Sequence, residues 1–270
     1  MYQSIENITF IIAFAFYVVA ALLFFIQIAR LSKRVEKGGI AATIGGLVFH
    51  TIAMAARSIG AGRLPFSNQY EFALSFAWGI TLSFVILYAL YRYGAIGAFV
   101  MPLAILVMGY ASMQSKTVRP LMPALQSIWL TFHVGTAILS YGSFALACAI
   151  SVIYLIDLKR SGEHKILAEP EVSDILSYRV VVFGFLMLSI VIISGAIWAQ
   201  KAWSRYWAWD PKETWSLITW IIYAIYLHLR LRKNWRGKSA AWFSIIGFVS
   251  VIFTFVGVNV LLPSIHSYVS

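Results

Sequence analysis

Apolar runs of about 20 residues recur along the chain and constrain its fold more than any other feature. About 20 helical residues cross a hydrocarbon layer of about 30 Å, and soluble domains do not repeat such runs. Hydrophobic residues make up 61% of the 270 residues, and charged residues only 11%. We therefore predict an all-α integral membrane protein, a bundle of about eight transmembrane helices forming a single domain over residues 1–270. The predicted spans are 8–29, 40–59, 72–91, 95–112, 127–156, 179–199, 214–230 and 240–262.

The distribution of basic residues predicts how these helices are oriented. Of the 21 Lys and Arg residues, 14 fall in the loops on the side that follows the first span, and 7 on the opposite side. Cytoplasmic loops carry the excess of basic residues, so the first side is predicted to be cytoplasmic and both termini to be outside. The net charge of +11 is then mainly a topology signal, and we expect no nucleic-acid partner.

One stretch on the predicted outer side is unusually rich in tryptophan. Residues 198–228 hold six of the ten tryptophans, and we call about residues 198–215 the tryptophan-rich segment. Tryptophan has a large flat face and one N–H donor, so it suits either a membrane interface or a flat aromatic ligand. An interfacial aromatic belt is the simpler alternative, although belts place only a few aromatic residues at each helix end. The six are Trp198, Trp203, Trp207, Trp209, Trp215 and Trp220.

The end of the tryptophan-rich segment has the spacing of a helix start. Asp210 is predicted as the N-cap, Pro211 as the first helical residue and Glu213 as the partner in a capping box. This structural role is an alternative to ligand binding for Asp210. Span seven would then begin beneath the tryptophans, and His228, 17 residues after Pro211, would lie about 25 Å further along the axis, near the inner face.

Polar residues also occur within and after span two. His50 lies at membrane depth, where an ionisable residue indicates either a functional site or a neutral histidine hydrogen-bonded between helices. Arg57 could reach towards the interface or hold an anionic ligand. Asn68 and Glu71 have the N-cap and N3 spacing for span three.

Two histidines on the predicted outer side favour haem chemistry. His133 lies one or two turns inside span five, and His266 follows span eight. Two imidazoles near a platform of aromatic rings suit a six-coordinate haem. Cys148 is the only cysteine, so thiols that accept haem would belong to another protein. Candidate partners for the haem propionates are Lys116, Arg119, Lys201, Arg205 and Lys212.

The stretch W-A-Q-K-A-W-S-R-Y-W-A-W-D-P-K-E-T-W resembles the tryptophan-rich "WWD" signature of haem-handling cytochrome c biogenesis proteins. The continuation Y-A-I-Y-L-H-L-R and the loop P-F-S-N-Q-Y-E are similar to the CcsA (ResC) family of system II. The resemblance implies that His133 and His266 are axial ligands of haem iron outside, and that His228 belongs to an inner haem site. It also implies haem contacts for Trp203, Trp207, Trp209, Asp210, Trp215, Arg205 and Lys212.

The same resemblance implies a function and its partners. The chain would be the haem-binding and haem-delivering membrane subunit of a cytochrome c synthase, a thioether-forming lyase, with haem b as substrate and ligand. Its expected partners are a CcsB/ResB-type membrane protein, which supplies the other inner ligand, and an apocytochrome c with a C-x-x-C-H motif. It would lie in the bacterial cytoplasmic membrane or the thylakoid, with its termini and the tryptophan-rich loop on the periplasmic or lumenal side.

Two other classes of function remain open from the sequence. A membrane b-haem electron-transfer subunit could use His50, His133 and His228, although these histidines are not clearly paired at matched depths. A non-haem transporter or assembly protein could use the tryptophans to bind a lipid or a partner. The haem spectrum of the purified protein would distinguish the three.

Overall fold

The computed structural model of the chain describes residues 1–160, 166–167, 169–232 and 235–262, and these contain helices but no strand. Within the predicted domain of residues 1–270, the chain divides into two compact units, Met1–Arg119 and Pro120–Ser270. The first unit contains α1 (Tyr2–Arg30), α2 (Lys33–Ala61), α3 (Gln69–Tyr91) and α4 (Gly97–Ser112). The second contains α5 (Ile128–Asp157), α6 (Pro170–Trp203), α7 (Pro211–Arg232) and α8 (Lys238–Ile252). A π-helical turn, Phe253–Gly257, and a last turn, Val258–Leu261, continue α8.

The all-α membrane fold predicted from the apolar runs is confirmed. In the described part of the chain, seven helical segments are long and apolar enough to cross a membrane. The seventh predicted span, residues 214–230, forms a helix within α7 but is not among these seven segments. This span is less apolar than the others because it contains polar residues, namely Thr214, Ser216, Thr219, His228 and Arg230.

Aromatic side chains of α1 pack against glycines in the first unit. The ring of Phe24 contacts Gly39 of α2 and Gly97 of α4, where an added Cβ would collide with it. Tyr17 contacts Gly46 of α2 in the same way, and both aromatic residues are fully buried. Small residues let helices approach closely in lipid, so these glycines hold α1 tightly against its neighbours.

A buried group of charged residues, which we call the Arg57 cluster, lies where α2 ends and α3 begins. The Arg57 Nε donates to Oε1 of Glu71 at 2.9 Å, and Nη1 donates to the Lys116 carbonyl oxygen at 2.6 Å. The other Glu71 oxygen accepts from Nη1 of Arg63 at 2.7 Å. Arg57 thus forms an internal ion pair, a role that the sequence did not indicate. The predicted cap of α3 is confirmed, since Asn68 Oδ1 accepts from the Glu71 N–H at 2.9 Å.

His50 is fully buried between α1 and α2. Its Nδ1 lies 3.1 Å from the hydroxyl oxygen of Tyr17. Of the two alternatives for His50, the geometry favours a histidine hydrogen-bonded between helices.

Helices α5 and α6 pack closely in the second unit because small residues line their contact. Ser140 of α5 donates its hydroxyl to the Gly184 carbonyl of α6 at 2.9 Å. Phe144 lies over Gly184 and stacks on Tyr223 of α7, with ring centroids 3.7 Å apart. This packing fixes the position of α5 against α6, and with it the position of His133.

Candidate functional site

The tryptophan-rich segment joins the end of α6 to the start of α7 through an ordered turn. Helix α6 ends at Trp203, and Ser204 takes a left-handed conformation with φ of 58°. Asp210 Oδ2 accepts from the Lys212 N–H at 3.0 Å, and Glu213 Oε2 accepts from the N–H groups of Asp210 at 3.2 Å and Ala208 at 2.8 Å. The predicted capping box is therefore confirmed, and α7 begins at Pro211 as expected.

The tryptophan rings contact one another in pairs. Trp198 is buried and meets Trp203 at a centroid distance of 4.7 Å, while Trp207 meets the largely exposed Trp209 at 5.8 Å. Trp215 contacts Phe253 in the π-helical turn at 4.1 Å. These are tilted or edge contacts, with interplanar angles from 45° to 87°, so the rings in these pairs do not stack face to face.

One indole N–H in this group is a candidate donor to a ligand. The Nε1 of Trp207 is buried and has no hydrogen-bond partner among the residues that the structure describes. Buried polar groups are normally hydrogen-bonded, and an exception calls for an explanation. An acceptor atom of a bound ligand would supply the missing partner.

His133 is brought directly against the tryptophan-rich segment. Its ring, on α5, stacks on Trp198 with a centroid distance of 6.1 Å and an interplanar angle of 22°. Its Nδ1 lies 2.9 Å from the Val191 carbonyl oxygen of α6. Since a carbonyl only accepts, Nδ1 carries the proton in the neutral ring, and the lone pair that can bind a metal is on Nε2. Such a contact is typical of histidines that bind metals.

Of the two other candidate ligands, the structure describes only His228. His266 lies outside the described residues. His228 is exposed on α7, on the same side as the exposed residues Ile221 and Ile225. It lies 17 residues after Pro211, about 25 Å along the axis, so it cannot share an iron with a ligand at the start of α7.

The candidate basic residues have different surroundings. Arg205 is exposed, and Lys201 Nζ lies 5.7 Å from the centre of the Trp129 ring. Burial lowers the pKa of Lys212, which precedes the predicted span 214–230, to about 8, and the charge of Asp210 opposes this shift. Lys116 belongs to the first unit, where Nζ donates to Asn7 Oδ1 at 2.9 Å. Arg119, the last candidate, ends that unit.

Sequence reasoning missed the residues of α6 that contact His133. Val191 and Gly195 lie in an apolar run in which nothing distinguishes one face of the helix from another. The small pair Ser194-Gly195, one turn before Trp198, is the only signal in the sequence that could have indicated a close contact at this level.

Comparisons with known proteins agree with the resemblance of the tryptophan-rich segment. A family model described as "Cytochrome C assembly protein" matches residues 66–266. A CcsA cytochrome c biogenesis protein of Guillardia theta is 36% identical over 261 residues, covering 87% of each chain. The CcsA of Trieres chinensis is 34% identical, covering 99% of this chain and 98% of the relative. The solved structure of the cytochrome c haem lyase CcmF shares the fold, with a TM-score of 0.76 at 16% identity over 98% of this chain and 47% of that one.

Proposed function

Because this chain belongs to the family of CcsA-type cytochrome c biogenesis proteins, we propose that it binds haem b and presents it for covalent attachment to apocytochrome c. A role in cytochrome c biogenesis and a multi-pass membrane location follow from the family and from its apolar helices. One observation carries the finer proposal. His133 is oriented by the Val191 carbonyl and by Trp198, at the end of α6 where the tryptophans gather.

In this proposal His133 and His266 are the axial ligands of the haem iron at the tryptophan-rich segment. The surroundings of His133 support its part, because a carbonyl on Nδ1 fixes the tautomer that binds metal through Nε2. The part of His266 rests on its place in the sequence and on the family. Haem contacts are proposed for Trp203, Trp207, Trp209, Trp215 and Asp210, and propionate contacts for Arg205 and Lys212.

The chemistry proposed at this site is the addition of two cysteine thiols of apocytochrome c across the two vinyl groups of haem. In each addition the sulfur bonds to one vinyl carbon and the hydrogen of the thiol goes to the other. Nothing leaves, and there is no net oxidation or reduction. This chain would contribute mainly by orienting the substrates, since holding reacting groups in place lowers the entropic barrier. It would do so as part of a holocytochrome c synthase.

We further propose that His228 serves an inner haem site shared with a CcsB/ResB-type partner. The exposure of His228 on α7 supports this, because a ligand from another chain can reach the same iron only at an exposed face. In this scheme haem enters from the cytoplasmic side, is held at His228 and then reaches His133.

Haem content measured on the purified complex tests the proposed function. The wild-type complex should contain non-covalent haem b with the spectrum of six-coordinate, bis-histidine iron. His228→Ala should lower the haem content, because the inner site loses a ligand, while the remaining haem keeps that spectrum. Added imidazole should restore part of the loss, since it can replace a missing ligand but not lost packing.

Ile225→Ala is the matched control, because Ile225 is also exposed on the same side of α7. It should leave the haem content unchanged. A wild-type complex without haem would contradict the function and favour a non-haem assembly protein. Haem whose spectrum resists substitution of Trp207 and Trp209 would favour an electron-transfer subunit. Normal haem loading in His228→Ala would remove this residue from the route.

Accessibility of single cysteines tests the proposed orientation. In a Cys148→Ala background, a membrane-impermeant maleimide added to intact cells should label Ser204→Cys, which lies in the tryptophan-rich segment. It should not label Leu158→Cys, at the end of α5, until the membrane is opened. Both native residues are exposed, so a difference in labelling reports the side of the membrane. The reverse pattern would invert the proposed topology.

A further inference from the structure

Gly195 lies where α6 passes the His133 ring, and the contact leaves no room for a side chain. A Cβ built on Gly195 would lie 2.8 Å from Cε1 and 2.9 Å from Nδ1 of His133. Real Cβ atoms essentially never come this close to another heavy atom. The absence of a side chain at residue 195 is therefore what lets the imidazole lie against the backbone of α6.

Three residues on one face of α6 together define the position of the ring. Val191, Gly195 and Trp198 are four and three residues apart, the spacing that places side chains on the same side of a helix. Val191 provides the carbonyl oxygen, Gly195 the space and Trp198 the stacked ring. A displacement of the imidazole at Gly195 would thus also disturb its hydrogen bond and its stacking.

Besides His133 and the N–H of Gly195 within the helix, the Ser194 hydroxyl is a further donor near the Val191 carbonyl oxygen. The hydroxyl oxygen of buried Ser194 lies 3.2 Å from it and 2.6 Å from the Ile190 carbonyl oxygen. A donor that shares an acceptor with another donor is bound less strongly by it. A hydroxyl has one hydrogen, and the nearer acceptor for Ser194 is the Ile190 carbonyl, so Ser194 is expected to weaken the hydrogen bond that Val191 accepts from His133 only slightly.

We propose that Gly195 and Ser194 are positioning residues that set the orientation of His133 and its donor strength as a ligand of haem iron. The proposal rests on the proposed function of His133. A hydrogen bond from Nδ1 to a carbonyl increases the electron density on Nε2 and strengthens it as a ligand. A stronger donor stabilises ferric over ferrous iron and lowers the reduction potential. Gly195 makes this hydrogen bond possible, and Ser194 limits its strength.

Gly195→Ala is expected to move the imidazole and leave the fold intact. The histidine ring is the end of a flexible side chain, whereas the α6 backbone is held against α5 by the contacts of Gly184 with Ser140 and Phe144. Alanine also favours the helical conformation more than glycine does. The ring therefore yields more easily than the helix.

The test uses the full complex with its haem and compares Gly195→Ala with Gly135→Ala. Gly135 lies on α5 two residues from His133, and a Cβ there meets no other atom within 4 Å. Gly195→Ala should lose the bis-histidine spectrum, and added imidazole should restore part of it. Gly135→Ala should keep the wild-type spectrum and reduction potential.

Ser194→Ala provides an independent measurement, because it removes one oxygen atom and adds no bulk. It should shift the reduction potential of the bound haem to lower values with the bis-histidine spectrum retained. Ser194→Thr, which keeps a hydroxyl, should have a reduction potential close to that of the wild type. The reduction potentials of the two Ser194 variants test the proposal even if Gly195→Ala does not accumulate in the membrane.

The outcomes separate this proposal from the one on which it rests. If His133→Ala leaves the haem spectrum unchanged, the proposed role of His133 itself fails. If His133→Ala alters the spectrum but Gly195→Ala matches the wild type in spectrum and potential, Gly195 does not position the ring. An unchanged or raised potential in Ser194→Ala would overturn the role of the hydroxyl.

Discussion

Replacing His133 with alanine is expected to abolish the maturation of c-type cytochromes. The substitution removes the proposed axial ligand together with the contacts to Val191 and Trp198 that orient it. Each loss of about 1.4 kcal/mol in substrate positioning reduces a rate about tenfold, so the loss of several times that amount would take maturation below detection. Covalent haem in a reporter cytochrome c, detected by haem staining after denaturing electrophoresis, provides the measurement. His266→Ala is expected to have the same effect.

Imidazole added to cells that carry His133→Ala should restore part of the maturation by occupying the vacant coordination position. Phe132→Ala is the matched control, because Phe132 adjoins His133 on α5 but is exposed. It should mature cytochromes normally. Normal maturation in His133→Ala would mean that this histidine is not an essential ligand, whatever its contacts in the fold.

Replacing Arg57 with methionine is expected to destabilise the first unit by about 3–5 kcal/mol, the usual effect of removing one partner of a buried ion pair. Arg57 is 2% exposed and Glu71 is 0% exposed, so Glu71 would keep its charge in a buried site with Arg63 as its remaining ionic partner. The free energy of unfolding of a folded protein is only about 5–15 kcal/mol, so a large part of the stability would be lost. The measurements are the amount of protein in the membrane and its thermal unfolding temperature in detergent.

Two further variants make this second prediction specific. Lys33→Ala removes a comparable pair, with Glu36 at 3.2 Å, but Lys33 is 82% exposed. The lysine end of this pair lies in water, although Glu36 is only 7% exposed, and surface ion pairs contribute about 0–1 kcal/mol, so this control should unfold closer to the wild-type temperature than Arg57→Met does. Arg57→Met combined with Glu71→Gln should recover part of the stability, because only one of the two buried carboxylates that face Arg57 then remains, Glu6 at 3.8 Å. If Arg57→Met unfolds no earlier than Lys33→Ala, the cluster does not stabilise the unit.

The helices, and the starts of α3 and α7, could be predicted from the sequence because local chemistry determines them, whereas α1, α2 and α6 begin six to nine residues before their predicted spans. In a hydrocarbon layer every backbone polar group must be hydrogen-bonded within the segment, so long apolar runs such as 8–29 must be helical. The starts of α3 and α7 depend on residues within one turn, and the side chains of Asn68 and Asp210 cap them as predicted. The proximity of His133 to the tryptophans followed from counting spans, which places the start of span five and the end of span six on the same side.

The contacts between helices could not be predicted because apolar sequences do not specify which face of a helix meets its neighbour. Helix α6 is apolar on nearly all sides, so its sequence did not indicate that Val191 and Gly195 face His133. The ion pair of Arg57 with Glu71 joins residues 14 positions apart on two helices and depends on how those helices pack. Glu71 was predicted only as a capping residue, and its carboxylate instead accepts from Arg57, Arg63 and Ser67.

The capping box before α7 has a consequence for the thermodynamics of binding. Its three hydrogen bonds hold the backbone of residues 208–213 without any help from a ligand. Fixing one residue costs about 1–2 kcal/mol of conformational entropy, and here that cost falls on folding and not on the proposed binding of haem. In a haem carrier, such a preorganised loop would lose little conformational entropy when haem binds and regain little when haem is released. The time for which haem stays bound would then be determined by ligand exchange at the iron, and not by rearrangement of the loop.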